Sequence, residues 1–146
     1  MSEGNVDGPL ILPCPHAGCA RLNPIGATRC EGCGTALETF ARLYFLPASC
    51  FNHGLQAIRS GDFFQGEAWM RMAHRLDPKD PATSVVLGKL CAEQGQWDAA
   101  QEFWLDALEA APTHAAALLC LWESKQLAKQ EAKPSRKKGK KSARRI

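Results

Sequence analysis

The chain has 146 residues, 18 of them basic and 15 acidic, with a formal net charge of +3 and 45% hydrophobic residues. This length fits one ordinary domain or two very small ones, and the apolar fraction allows a buried core. The charge is uneven, because eight basic residues and no acidic residue follow residue 131, leaving ten basic against 15 acidic residues before it. We therefore expect a mildly acidic body and a strongly basic tail.

The composition argues against a secreted or membrane protein. Residues 1–12 have no basic n-region, and the longest uncharged stretch, 43–58, contains Pro47 and Gly54 and is too short to span a bilayer. Seven cysteines in a reducing compartment favour metal binding over disulfides. We expect a soluble intracellular protein, cytoplasmic or, in a eukaryotic cell, nuclear.

The first candidate site follows residues 1–12, which we expect to be disordered. Cys14 and Cys19 form one close pair, and Cys30 and Cys33 form a second pair after ten intervening residues. Two thiolate pairs on two turns can surround one tetrahedral ion. Gly34 follows the second pair, and its freedom at positive φ suits a turn around a metal. The pattern predicts one structural zinc ion.

Three alternatives stay open for this cluster. His16 lies within the first pair, so three cysteines and His16 are an alternative ligand set. Four reduced structural cysteines without metal are a second alternative. A rubredoxin-like iron site also takes four thiolates, but the irregular C-x4-C pair favours zinc. A site with four protein ligands leaves no position for water, so the ion would support folding and not hydrolysis.

Residues 13–38 resemble a short bacterial zinc ribbon, a family in which N-x-x-G-A-x-x-C-x-x-C-G-x-x-L recurs. The residues that fit are Asn23, Gly26, Ala27, Cys30, Cys33, Gly34 and Leu37. The resemblance implies a small β module around the metal. The spacing is also similar to that of Ran-binding-protein-type zinc fingers, but Leu12 stands where that family has Trp. We therefore expect neither ubiquitin nor single-stranded RNA binding from this segment.

Residues 39–46 are an apolar and aromatic linker, for which a strand and the start of a helix both stay open. Residues 47–131 then repeat at an offset of 34, with Gly54 matching Gly88. A glycine within a helix costs about 1 kcal/mol relative to alanine, so these two positions indicate close helix packing. The other pairs are Gly61 with Gly95, Phe63 with Trp97, Met70 with Trp104, Ala73 with Ala107 and Pro78 with Pro112.

The ends of the repeated helices carry recognisable signals. Gly61 and Gly95 suit C-terminal stops, and Asp62 suits an N-cap. Asp80 followed by Pro81 is typical of an N-cap with proline at the first helical position.

These pairings resemble the tetratricopeptide repeat (TPR) family. The resemblance implies two helical hairpins, 47–80 and 81–114, and a capping helix, 115–131, that covers the last apolar flank. The first copy departs from the family at His53 and Gly66, and Trp122 stands where the third unit should have a close-packing glycine. The expected fold is mainly α, a short TPR-like α-solenoid preceded by the zinc-ribbon β module.

In this family the first helix of each repeat lines a concave groove that takes a peptide or a partner helix. The corresponding residues here are Phe51, Leu55, Ile58, Arg59, Val85, Lys89, Glu93, Leu119, Glu123 and Leu127. Phe51 and Leu55 stand where members that clamp a carboxylate have polar residues, so we expect an apolar partner segment. Alternatively, the linker or the zinc module covers these apolar residues.

The remaining features have simple interpretations. Cys50, Cys91 and Cys120 lie at core-like helix positions and are expected to be small buried hydrophobic residues. Neither a phosphate-binding loop nor a GxSxG or HExxH motif occurs, so we do not expect an enzyme.

The tail, 132–146, has too little apolar surface to fold alone and is expected to be disordered. It could neutralise phosphates of nucleic acid, solubilise the chain or touch the acidic body, but it has no aromatic residue for base stacking. Its basic residues are Lys133, Arg136, Lys137, Lys138, Lys140, Lys141, Arg144 and Arg145.

Two functions are consistent with the sequence. The first is an intracellular protein–protein interaction adaptor that uses a TPR groove and a structural zinc site. The alternative is a nucleic-acid- or ribosome-associated protein that uses the zinc module and the basic tail, with Arg21 and Arg29 as further basic residues.

Overall fold

The computed structural model describes residues 11–132, and the predictions for residues 1–10 and for the basic tail residues 133–146 lie outside them. The described residues are mainly helical, with one small antiparallel sheet. The elements are β1 Ile11–Pro13, β2 Leu22–Pro24, α1 Glu38–Tyr44, α2 Leu46–Arg59, α3 Phe63–Leu76, α4 Pro81–Glu93, α5 Trp97–Ala110 and α6 Ala115–Glu131.

The chain divides into two compact units. Unit 1 ends at Pro78 and contains β1, β2 and α1–α3, whereas unit 2 begins at Lys79 and contains α4–α6. The division falls inside the predicted helical segment 47–131, between its two repeats. None of the helices within residues 11–132 combines the length and apolar character needed to cross a membrane.

The sheet of unit 1 pairs Leu12 with Asn23 at its centre. Leu12 is fully buried and packs with Leu37. Strand β1 begins at Ile11, two residues before the predicted module boundary at residue 13. Phe40 and Phe45 pack against the same cluster. Most of the apolar linker, for which strand and helix were both open, is therefore helical: residues 39–44 lie in α1, and Leu46 begins α2.

The remaining helices of unit 1 form the α2–α3 hairpin. A Cβ atom on Gly54 would lie 2.9 Å from Met70 Cε and 3.3 Å from the carbonyl oxygen of Gly66, so glycine permits this close approach. Gly61 lies in the short connection between α2 and α3, with φ +87°. The Asp62 side chain accepts a hydrogen bond from the Gln65 N–H at 3.0 Å and caps α3, as the sequence predicts.

Unit 2 repeats this arrangement in α4 and α5. A Cβ atom on Gly88 would lie only 2.3 Å from Trp104 Nε1, and Trp104 Nε1 donates to the Val85 carbonyl at 3.3 Å. Asp80 caps α4 by accepting from the Thr83 N–H at 2.9 Å. The Gly88–Trp104 contact lies 34 residues after the Gly54–Met70 contact, which is the offset found in the sequence.

Helix α6 completes the core of unit 2. Its Ala117, Cys120 and Leu121 are buried in the cluster that contains Trp104. Its outer side remains apolar, because Leu118 and Trp122 are 48% and 60% exposed. The predicted capping helix therefore covers its neighbours but presents large apolar side chains to solvent beside polar ones such as Glu123 and Lys125.

Candidate functional site

The first cysteine pair is held by an irregular loop after β1. The Cys14 N–H donates to the Arg21 carbonyl at 2.8 Å, which closes the loop at the start of β2. Gly18 at φ +86° and Ala20 at φ +46° are both in the left-handed region. These conformations allow the longer C-x4-C spacing to turn back so that both sulfurs face the second pair.

The second pair lies in a tighter turn. The Cys30 N–H donates to the Thr35 carbonyl at 2.9 Å, and the Gly34 N–H donates to the Cys30 carbonyl at 2.8 Å. Gly34 has φ +73°, as expected for a turn around a metal site. The Gly32 N–H also points at Cys30 Sγ, 3.4 Å away, an arrangement that favours a thiolate at this position.

The two turns bring all four cysteine sulfurs together. Sγ of Cys14, Cys19, Cys30 and Cys33 all lie within 4.8 Å of one another, with Cys14–Cys33 at 3.6 Å and Cys19–Cys30 at 3.7 Å. Zn–S bonds of ~2.3 Å at tetrahedral angles place sulfurs ~3.8 Å apart, so the arrangement fits one metal ion. Within residues 11–132 the cluster consists of these four cysteines, and His16, the alternative ligand, is not part of it.

Asn23 connects the two turns. Its side chain is buried, donates from Nδ2 to the Arg21 carbonyl at 3.0 Å, and accepts from the Glu31 N–H at 3.3 Å through Oδ1. It thus joins the end of the first turn to the interior of the second. In the sequence Asn23 was only a matching position of the zinc-ribbon pattern, and no local signal indicated this bridging role.

As free thiols, the four cysteines differ in acidity. Burial raises the pKa of Cys14 to about 12, whereas the backbone N–H of Cys33 lowers the pKa of Cys30 to about 6. Hydrogen bonding with Thr35, whose Oγ1 is 3.0 Å from Cys33 Sγ, lowers the pKa of Cys33. The regular pair is therefore the more readily deprotonated one, and metal binding has to displace the proton of Cys14.

The basic residues near the cluster are engaged locally. Arg21 Nη2 lies 3.0 Å from Glu31 Oε2 in an exposed ion pair that again joins the two turns. Arg29 Nη1 donates to the Gly34 carbonyl at 3.1 Å. Both guanidinium groups, which the nucleic-acid alternative uses as phosphate contacts, thus already have partners within the module.

A second candidate site is a cleft in unit 2, between α4 and α6. It has a volume of about 240 Å³, and four predicted groove residues line it: Lys89, Glu93, Glu123 and Leu127. Trp97 contributes to its apolar part. We call this feature the unit 2 cleft. Its lining combines apolar surface with charges of both signs.

Other predicted groove residues lie elsewhere. Val85 is only 4% exposed and belongs to the core around Trp104, so its side chain is not available to a partner. Leu119 is exposed on α6 but does not line the unit 2 cleft. The family-based projection placed Val85 on the surface, but this side of α4 is covered within its own unit.

The groove residues predicted for unit 1 all lie on α2. Phe51 and Leu55 are half-buried, and Arg59 is exposed. Ile58 packs within the hairpin, because a Cβ atom on Gly66 would lie 2.5 Å from Ile58 Cγ1.

The three remaining cysteines behave as the sequence predicts. Cys50, Cys91 and Cys120 are all buried, and none belongs to the metal cluster. Burial raises the pKa of Cys120, with smaller opposing effects of Lys89 and Glu123, which are near it in the unit 2 cleft.

No protein-family model matches this chain, and a search of the curated proteins finds no match either. Any assignment of function therefore has to rest on the geometry of the two sites.

Proposed function

We propose that this chain is an intracellular protein–protein interaction adaptor, with a structural zinc ion in unit 1 and a TPR-type docking groove that includes the unit 2 cleft. The observation that carries the proposal is the unit 2 cleft itself. It has apolar surface at Trp97 and Leu127 and charged groups at Lys89 and Glu93, a combination that suits the side chains of a bound peptide or helix.

The four-cysteine cluster supports a structural role for the metal. The sulfur separations of 3.6 and 3.7 Å fit four-coordinate zinc, in which no position is left for water or substrate. The module around it has a very small core, Leu12 and Leu37 with the buried Cys14 and Cys30. A core of this size needs a cross-link or a metal for independent stability. When bound, the ion supplies that cross-link.

The repeated contacts support the TPR interpretation. Gly54 against Met70 and Gly88 against Trp104 are equivalent positions at the 34-residue offset, each allowing two antiparallel helices to approach closely. The N-caps at Asp62 and Asp80 fix the starts of helices in the two copies. These features support a repeated helical hairpin of the TPR type, a family in which the first helix of each repeat is used for docking.

Site-specific photocrosslinking tests the proposal. A photoreactive phenylalanine analogue at Leu127 places the crosslinker in the unit 2 cleft, whereas the same analogue at Leu105 places it on the exposed side of α5, outside the cleft. After irradiation in the native cell, we expect discrete protein adducts from position 127 that are absent from position 105. Mass spectrometry then identifies the partner and the crosslinked peptide.

A second variant separates docking from chance proximity. Combining the analogue at position 127 with Lys89→Ala and Glu93→Ala removes two charges of the cleft, and we expect the adduct to decrease. Equal adducts from positions 127 and 105, or adducts unaffected by the charge changes, would contradict the adaptor proposal.

The nucleic-acid alternative rests mainly on the tail, 132–146, whose basic residues all lie outside the described residues. Arg21 and Arg29, the only further support in the sequence, are engaged with Glu31 and the Gly34 carbonyl. Phosphate binding weakens steeply with added salt, whereas apolar docking responds little, so a salt titration of any captured complex distinguishes the two functions.

A further inference from the structure

The unit 2 cleft has a charge pattern that an apolar peptide alone does not use. Glu93 on α4 and Glu123 on α6 both line it, against one cation, Lys89. The ion pairs among residues 11–132 join other glutamates, Glu31, Glu38 and Glu67, to arginines. The cleft therefore offers two carboxylates beside the exposed ring of Trp97, an arrangement that suits a cationic side chain.

Unit 2 as a whole has the same sign of charge. Residues 79–132 contain eight acidic and four basic residues. The following 14 residues, 133–146, contain eight basic residues and no acidic one. The segment that leaves unit 2 is thus opposite in charge to the unit from which it leaves, so the two attract each other at low ionic strength.

The end of α6 lies within reach of the cleft for a segment of this length. Glu123 and Leu127 lie on α6, which ends at Glu131. Returning from Ala132 to the level of Glu123 requires ~14 Å at 1.5 Å per helical residue. A 14-residue segment spans up to ~46 Å when extended, so its length is ample.

We propose that the basic segment 133–146 folds back along α6 and occupies the unit 2 cleft of its own chain, with its first basic residues against Glu93 and Glu123. This inference rests on the proposed function, because it makes the segment an intramolecular competitor for the partner site. A short connection gives the tethered segment an effective concentration in the millimolar range, so even weak contacts keep the cleft occupied. A partner has to displace the segment, and ionic strength sets how easily it does so.

The test uses the full-length, metal-loaded protein and a full-length variant in which the eight basic residues of 133–146 are changed to Gln. The indole N–H signals of Trp97 and Trp104, which line the cleft, are followed by NMR, with Trp69 on α3 as the reference. We expect the Trp97 and Trp104 signals to shift in the variant while Trp69 stays unchanged. Adding 0.5 M salt shortens the electrostatic screening length to ~4 Å, so it should move the wild-type signals towards those of the variant.

A synthetic peptide of residues 133–146, titrated into the Gln variant, measures the site directly. Changing Glu93→Gln and Glu123→Gln should weaken peptide binding at least ~5-fold, the equivalent of one good ion pair. Glu102→Gln with Asp106→Asn is the matched control, because both residues are exposed on α5 and neither lines the cleft. The control should change binding less than ~2-fold.

Each outcome decides the proposal. Unchanged indole signals in the Gln variant overturn it. An equal loss of peptide binding in the control pair also overturns it, because the peptide is then attracted to the acidic unit in general and not to the cleft. Signals that depend on protein concentration also overturn it, because the segment then comes from a second copy. The adaptor function stands or falls separately, since the photocrosslinking at Leu127 detects the partner whether or not the segment competes.

Discussion

Gly88 lies where α4 packs against Trp104 of α5, and the absence of a side chain there is what permits this contact. Alanine at this position would gain about 1 kcal/mol of helix propensity. Its Cβ atom would, however, lie 2.3 Å from the indole of the buried Trp104. Because a large ring in a packed core cannot move aside easily, the steric cost exceeds the gain.

We therefore expect Gly88→Ala to lower the free energy of unfolding of unit 2 by ~1–3 kcal/mol. Gly54→Ala is the matched comparison, because it has the same gain in propensity but a milder overlap, with the flexible Met70 at 2.9 Å and the Gly66 carbonyl oxygen at 3.3 Å. Its cost should stay below ~1 kcal/mol. Native-state hydrogen exchange of the helix amides measures both. A cost for Gly54→Ala as large as that for Gly88→Ala would contradict the described packing.

Asn23 is the second residue whose side chain has consequences beyond its own position. It supports both cysteine turns from outside the four-cysteine cluster, through the Arg21 carbonyl and the Glu31 N–H. Changing Asn23→Ala should weaken metal binding ~10–100-fold, as is usual for residues that orient ligands. Competition with a chromophoric chelator measures this. Thr28 is exposed, so Thr28→Ala serves as the control. Equal metal affinities of the two variants would argue against the role of Asn23.

At the scale of single elements, the two repeats differ in their helix caps. Gln96, which precedes α5, corresponds to Asp62 at the 34-residue offset, and the backbones agree closely, with φ −87° and ψ 66° against φ −86° and ψ 77°. Asp62 accepts a hydrogen bond from the helix, but the side chain of Gln96 makes no cap bond. An aspartate at position 96 would therefore find a backbone already suited to capping.

We expect Gln96→Asp to stabilise unit 2 by ~0.5–1 kcal/mol, through the cap bond and the favourable charge at the start of α5. Asp80→Ala, which removes an existing cap of α4, should destabilise unit 2 by ~1 kcal/mol. Urea unfolding measures both changes. We expect the two changes to shift the free energy of unfolding in opposite directions. If neither Gln96→Asp nor the isosteric Gln96→Asn stabilises unit 2, the backbone match is insufficient for capping.

The elements with strong local signals were predictable. The caps at Asp62 and Asp80, the positive φ at Gly34, Gly61 and Gly95, and the meeting of the four cysteines all follow from residue chemistry at fixed spacing. Where the signal was short or long-range, prediction failed. Three-residue strands such as β1 have almost no periodicity, and α1 has only seven residues, so neither could be resolved from the sequence.

Surface and core were harder to separate within α4. Seven of its 13 residues are buried, so it has no clearly polar side and its apolar pattern gives no single inward face. Val85 was accordingly assigned to a groove although it lies in the core. Asn23 shows the same limit for polar residues, because its hydrogen bonds join segments that only the folded chain brings together.

At the scale of the whole molecule, metal should stabilise unit 1 and leave unit 2 unaffected. The metal module has its own small core, whereas unit 2 has a separate cluster around Trp104. After removal of the metal by a chelator, we expect loss of hydrogen-exchange protection in residues 11–37 and retention in residues 81–131, because the ion is a large part of the folding energy of such a module. Metal analysis should give one zinc per chain.

Two results would contradict this view of the metal. Full protection of residues 11–37 after complete chelation would mean that the cysteine cluster is stable as free thiols. Stoichiometric iron in the isolated protein would identify the rubredoxin-like alternative instead of zinc. A return of protection on adding zinc back to the chelated protein is the control for irreversible damage.

The outer side of α6 has a consequence for protein engineering. Leu118, Leu119 and Trp122 remain largely exposed there, although the opposite side of the helix is tightly packed. A further helical hairpin, designed with a complementary apolar face, would bury these side chains without any change to α4 or α5. Because stacked repeats gain stability mainly from contacts between neighbours, the added pair should also raise the thermal stability of unit 2. This helix thus offers a ready attachment point for building longer helical scaffolds.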